Sequence, residues 1–155
     1  MYDDALRPVA ARALAHLGIV RAWVVRSTDG LDEVSPCGAE TRVSEVLAGG
    51  EVRERTVSAR DFGVRAVTRA AIAGDDAGTN ADAIVRILER APHPARDAVI
   101  LNAAAALAVA DERATLEACA ERARDALDSG RARETLERWR AAAARYKAAP
   151  PTEAT

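Results

Sequence analysis

Aromatic side chains are scarce in this sequence, with two tryptophans, two tyrosines and one phenylalanine among 155 residues. Burial per residue is therefore modest, and the 49% hydrophobic content, dominated by alanine, describes a thinner core than the figure suggests. Small residues favour closely packed helices instead. Lysine is nearly absent: Lys147 stands alone among 22 basic residues. Together with the alanine excess this matches GC-rich coding DNA and gives the arginines no collective functional weight. Cys37 and Cys119 lie far apart and match no metal or redox spacing, which argues for two free thiols and against a disulfide framework. Runs of like charge are missing, and a net charge of −2 spread along the chain argues against a nucleic-acid surface. No stretch approaches a membrane span, and the acidic start Met1-Tyr2-Asp3-Asp4 opens no signal-peptide core. The expectation is a cytoplasmic protein with no nucleic-acid or membrane partner.

What is present is enough for one domain of α/β class: a partial sheet, made of one buried strand and a hairpin, flanked by a helix-rich carboxyl-terminal half. Leu6, Val9, Ala10, Ala13, Leu14 and Leu17 fall at helical spacing, with Asp3 or Asp4 as cap, Pro8 tolerated in the first turn and Gly18 as a stop. A continuous apolar run over 19–25 follows as a strand covered on both faces. Thr41 to Leu47 and Val52 to Val57 read as a hairpin around the paired Gly49-Gly50. Helices are expected over 64–72, from a cap at Thr79 or Asn80, over 95–110, from a Thr115 cap, and after the Ser129-Gly130 break. Residues 1–147 form the domain and 148–155, with two prolines, a disordered tail.

Chemistry concentrates at Asp29-Gly30-Leu31-Asp32-Glu33. Adjacent carboxylates on most surfaces are simply solvated. Here a buried strand delivers them, a glycine lets the backbone turn sharply, and a third carboxylate lies three residues earlier. In open α/β sheets ligands gather past the carboxyl ends of strands. Successive side chains of extended backbone point to opposite sides, so Asp32 and Glu33 are poorly placed to chelate one ion together unless the turn redirects them and suit two hard cations, or one cation and a water network. Mg²⁺ takes one or two protein carboxylates and completes its octahedron with water and phosphate oxygens, so the pair are metal candidates and a diphosphate the natural partner. No other catalytic set emerges. His16 lies beside an apolar helical stripe, His93 stands between two prolines, and neither has the spacing of a zinc site. The segment 73–78 contains two glycines but lacks a phosphate-loop pattern and reads as a helix boundary.

Several pieces, in order, resemble anthranilate phosphoribosyltransferase: Val24-Val25 before Asp29-Gly30-Leu31-Asp32-Glu33, Thr41 and the hairpin, Asp61-Phe62-Gly63, Gly74-Asp75 with Asn80-Ala81, the run Asn102 to Leu107, and Asp128-Ser129-Gly130-Arg131-Ala132. The resemblance covers about Tyr2 to Trp139 and corresponds to the carboxyl-terminal part of that family only. It implies a Mg²⁺-dependent transfer of the phosphoribosyl group from phosphoribosyl diphosphate to anthranilate in tryptophan biosynthesis, with Asp32 and Glu33 binding the metal that holds the diphosphate. Substrate-binding residues would lie in the missing amino-terminal part, together with the glycine-rich phosphate loop, the Lys-His-Asn segment, the arginine that touches anthranilate and most of the homodimer interface. A second departure is local: Arg26-Ser27 stands where the family has His-Gly.

The resemblance therefore implies a fragment inactive alone. Two alternatives stay open: a non-catalytic Mg²⁺-diphosphate-binding remnant or subunit, and a related nucleoside phosphorylase or phosphoribosyltransferase. Met1 stands where the family commonly has valine, so a valine codon within a longer reading frame is expected at this point. The upstream DNA tests it: continuous coding for a glycine-rich loop is the expected result, and an in-frame stop directly before Met1 contradicts it.

Overall fold

The structure, a computed structural model, describes Met1 and residues 3–148. The chain begins with a 3₁₀ turn at Asp4–Leu6, capped by the Asp3 carboxylate accepting from Ala5 N–H, and continues as α1, Arg7–His16, with Pro8 in its first turn. Three strands follow, β1 Ala22–Ser27, β2 Thr41–Val46 and β3 Val52–Val57. They form an antiparallel sheet in the order β1-β2-β3, registered by Val25 opposite Val43 and by Val43 opposite Arg55. The hairpin turns where the glycines predict, with φ of +96° at Gly49 and +87° at Gly50 and a Leu47 N–H to Glu51 O bond of 2.9 Å. Short 3₁₀ turns at Ala59–Phe62 and Arg69–Ile72 lead to the helices α2 Ala77–Leu88, α3 Arg96–Ala110, α4 Leu116–Asp128 and α5 Arg131–Ala148.

Alternation along the strands decides which layer each residue meets. Val24 and Val46 join Ala11 and Leu14 of α1 on one face. Trp23, Val25, Val43 and Val57 point the other way, into the main core with Phe62, Ile100, Leu101, Ala104, Cys119, Ala123 and Leu127. Alanine on α3 and α4 lets those helices approach closely, so a sequence poor in aromatics still closes a core. Phe62, Ile100 and Leu101 are its largest fully buried side chains. Polar networks close the margins of both faces. Arg7, 8% exposed, donates to Ser44 and Glu54 and, at 2.9 Å, to Asp4. Glu45, 3% exposed, accepts from Arg53 at 2.8 Å and from the Trp23 indole at 3.0 Å, and Arg55 stacks 5.1 Å from that ring.

Three expectations need correction. The first strand starts at Ala22, not Ile19; Ile19 and Val20 are exposed in the link from α1. Residues 64–68 are irregular and only Arg69–Ile72 turns as 3₁₀, so the apolar spacing of 64–72 makes no α-helix. Asp76 caps α2 by accepting from Thr79 N–H at 2.8 Å, in place of Thr79 or Asn80. Asn80 instead brackets the preceding loop, accepting from Asp75 N–H at 3.0 Å and donating to Asp75 O at 2.8 Å. Trp139 and Tyr146 of α5 are 71% and 87% exposed. The expected tail at 148–155 lies, beyond Ala148, outside those residues.

The Arg7 cluster makes stability depend on pH. Hydrogen bonds from Arg7 and Arg42 hold the Asp4 carboxyl below its ordinary range; for Glu54 burial pushes upward, but bonds from Ser44 and Arg7 outweigh it. Carboxyls depressed on folding stabilise the protein above their unfolded values and lose that contribution as pH falls through the folded ones. Urea unfolding followed from about pH 6 to about pH 3 should therefore show declining stability, with a shallower decline in Arg7→Met. An equally steep decline in the variant would assign the acid sensitivity elsewhere.

Candidate active site

β1 ends at Ser27, and the next eight residues fold into a turn fastened mainly by side chains. Gly30 sits at φ +91°, a conformation an L side chain rarely adopts, and its N–H donates to Ser27 O at 3.2 Å. Ser27 Oγ accepts from Leu31 N–H at 2.9 Å, and its hydroxyl faces both the Leu31 carbonyl and the Asp29 carboxylate. Arg26 donates to Gly30 O at 2.7 Å. Arg26-Ser27, the local departure from the resembled family, is thus the pair whose side chains tie this turn.

Asp29 belongs to that fastening. It accepts from Ser27, from Ser35 Oγ at 2.7 Å and from Leu31 N–H at 3.4 Å, and Arg69 donates to its backbone carbonyl at 3.3 Å. Burial pushes its carboxyl upward, but the Ser27, Ser35 and Leu31 donors and the Arg69 charge outweigh it and hold the group ionised below its ordinary range. Among the described residues the Asp32 and Glu33 side chains have no such ties. Asp32 is exposed, and Glu33 is half-buried. Burial, then the negative charges of Asp32 and Asp29, push the Glu33 carboxyl upward.

Directly after the pair, Val34 and Ser35 are buried and pinned on two sides. Asn102 of α3 accepts from Val34 N–H at 3.0 Å and donates to Val34 O at 3.1 Å; Ser35 N–H donates to Thr41 Oγ1 of β2 at 2.9 Å. The carboxylates therefore project from a stretch anchored to both sheet and helical layer. Asn102 had entered the sequence reading only as part of a resembling run. Its half-buried place beside the buried Leu101 and Ala104 of an alanine-rich helix was the available signal, because an amide there needs partners.

The remaining residues considered from sequence stay apart from this turn. His16 is exposed at the end of α1, and His93 Nδ1 accepts from Ala95 N–H at 3.2 Å within a helix connection. Cys37 and Cys119 are free thiols, and burial raises the Cys119 thiol. Among the described residues no three His, Cys, Asp or Glu side chains gather as a metal cage, and no helix is long and apolar enough to cross a membrane. Mg²⁺ needs no complete protein cage, since it takes one or two protein carboxylates and fills its octahedron with water and phosphate oxygens.

The model of the glycosyl transferase family, a/b domain, matches residues 1–133. Anthranilate phosphoribosyltransferase of Myxococcus xanthus is 48% identical over 119 residues, 77% of this chain but 35% of the relative. That of a Nocardioides species is 45% identical over 150 residues, 92% of this chain and 42% of the relative. Among solved structures, anthranilate phosphoribosyltransferase from Thermus thermophilus superposes with a TM-score of 0.76 at 31% identity, over 89% of this chain and 40% of that one. The Saccharomyces cerevisiae enzyme in complex with PRPP and Mg shares the fold, with a TM-score of 0.78 at 23% identity over 88% of this chain and 39% of that one. The chain thus spans about two-fifths of the length of the relatives it matches.

Replacing Asn102 with leucine leaves the Val34 N–H and C=O buried without partners and should destabilise the fold by about 1–3 kcal/mol in guanidinium unfolding. A loss below about 0.5 kcal/mol would mean that the clamp is replaced by water.

Proposed function

The chain belongs to the glycosyl transferase family, whose a/b domain matches its residues 1–133, and on that premise we propose that it is the carboxyl-terminal portion of an anthranilate phosphoribosyltransferase. The reaction of the completed site is transfer of the phosphoribosyl group from phosphoribosyl diphosphate to the amine of anthranilate. It gives N-(5-phosphoribosyl)anthranilate and diphosphate in tryptophan biosynthesis. The observation that carries this reading is the position of Asp32 and Glu33. They lie just past the carboxyl end of β1, without the ties that engage Asp29, in a chain 48% and 45% identical to two such enzymes.

The chain's own contribution is the metal-holding arm. Asp32 and Glu33 would hold Mg²⁺, which when bound supplies positive charge beside the departing diphosphate. Asp29 keeps the turn rigid through Ser27 and Ser35, and Asn102 fixes the exit of the turn, so the two carboxylates need little reorganisation to accept a cation. Phosphate cradle and acceptor pocket belong to polypeptide beyond the matched portion. The short span favours a second, narrower statement for the isolated chain: it binds Mg²⁺-diphosphate without turnover.

Calorimetry on the 155-residue protein should detect Mg²⁺-diphosphate binding that Asp32→Ala removes, while anthranilate and phosphoribosyl diphosphate give no product. Binding that is absent, or unchanged in the variant, would contradict the metal arm, and robust product formation would contradict the incompleteness of the site.

A further inference from the structure

A cavity of about 570 Å³ lies at the opposite end of the sheet from the acidic turn, between the strands and the link from α3 to α4. Its composition follows from the register. Trp23, near the start of β1, stands opposite Glu45 near the end of β2, and Glu45 stands opposite Arg53 near the start of β3. Paired residues share a face of the sheet, and Arg55, two residues on from Arg53, shares it too. Arg21, just before β1, and Arg113, in the link from α3 to α4, complete the charged lining.

Charge on this lining does not balance. Four guanidiniums face two available carboxylates. Glu45, 3% exposed, is shared by Arg53 at 2.8 Å and by Arg21 and Arg55, each at 3.8 Å. Glu112 pairs with Arg21, and Asp111, the third carboxylate of the lining, is engaged at 3.0 Å by Arg122, which stands outside it. Two positive charges are left over, and they fall to Arg55 and Arg113. Arg55 lies 5.1 Å from the centre of the Trp23 ring, while among the described residues Arg113 makes no ion pair, its backbone N–H alone reaching Asp111 at 3.3 Å. Arg21 adds an independent sign: its Nε is the only buried side-chain polar atom among the described residues without a hydrogen-bond partner. Buried donors are almost always paired, and like charges gathered in a cleft with apolar walls draw in anions.

We propose that this cavity binds a small organic phosphate monoester, at a site separate from the acidic turn. Such a group carries a charge of about −1.5 to −2 at neutral pH and three acceptor oxygens, which matches the two left-over guanidiniums; a carboxylate would offset one. Ala108, Ala114 and Leu116 supply the apolar wall for the organic part, in a volume typical of small-ligand pockets. Arginines make the site, so binding here needs no metal.

The test titrates the 155-residue protein with phenyl phosphate at about pH 7.5 in EDTA, which keeps Mg²⁺ from the acidic turn. Of the two tryptophans, Trp23 lines the cavity and Trp139 does not. The indole N–H resonance of Trp23, which donates to Glu45 at 3.0 Å, should shift saturably with a Kd below about 1 mM, and that of Trp139 should stay in place. Arg113→Ala, on an exposed side chain, should weaken binding about tenfold with an unchanged melting temperature, and Arg55→Gln should weaken it about as much. Inorganic phosphate lacks the apolar part and benzoate the second charge, so each should bind about tenfold more weakly. Asp32→Ala should bind phenyl phosphate as tightly as the parent. No saturable shift, a shift shared by Trp139, an affinity unchanged in either arginine variant, a match by inorganic phosphate or benzoate, or a loss in Asp32→Ala overturns the proposal.

Discussion

The two hydrogen bonds between Asn102 and the Val34 backbone join the parts of this molecule that matter. Val34 is 1% exposed and lies immediately after the acidic pair, while Asn102 lies on the helix that fills the core beneath the sheet. An amide side chain that both accepts and donates satisfies a buried N–H and a buried C=O at once, which no apolar residue could do. The turn past β1 is thereby held at a set height above the sheet. Carboxylates that would wander on a free loop are presented from a fixed base.

A second set of side chains works on the turn from within. Ser27, Ser35 and Asp29 form a compact arrangement of hydroxyls around one carboxylate, and Arg26 and Arg69 close it through backbone carbonyls. Three carboxylates within five residues thus divide into one structural and two available. The division is electrostatic: Asp29 has donors enough to keep its charge, whereas Glu33 has burial and negative neighbours. Elsewhere the many exposed arginine–carboxylate pairs contribute little each, about 0–1 kcal/mol. The fold is held chiefly by the alanine-rich contact of α3 and α4 against the valines of the sheet.

Two of the motifs that made the chain resemble a family prove to be local clamps. Asp61 accepts from Ser58 N–H at 2.7 Å to start the turn that buries Phe62. Asn80 brackets Asp75. Such residues are legible in order because each must meet backbone a few positions away or at a fixed helix end. The hairpin at Gly49-Gly50 and the Thr115 cap were legible for the same reason: their chemistry is local. The stretch 64–72 was misread because apolar spacing reports which residues want burial, and here Val64 finds it without a helix.

By itself the sequence determined the α/β class, the hairpin, most helices, the acidic turn past the end of the first strand and the family, all of which depend on short-range periodicity, turn chemistry and ordered motifs. Only the tertiary structure decided that Asp29 is tied to Ser27 and Ser35, that Asn102 anchors the turn across 68 residues of chain, and that among the described residues β1 stands at the edge of the sheet. Those outcomes depend on which distant groups meet, and a polar side chain carries no mark in the sequence of the partner it will find.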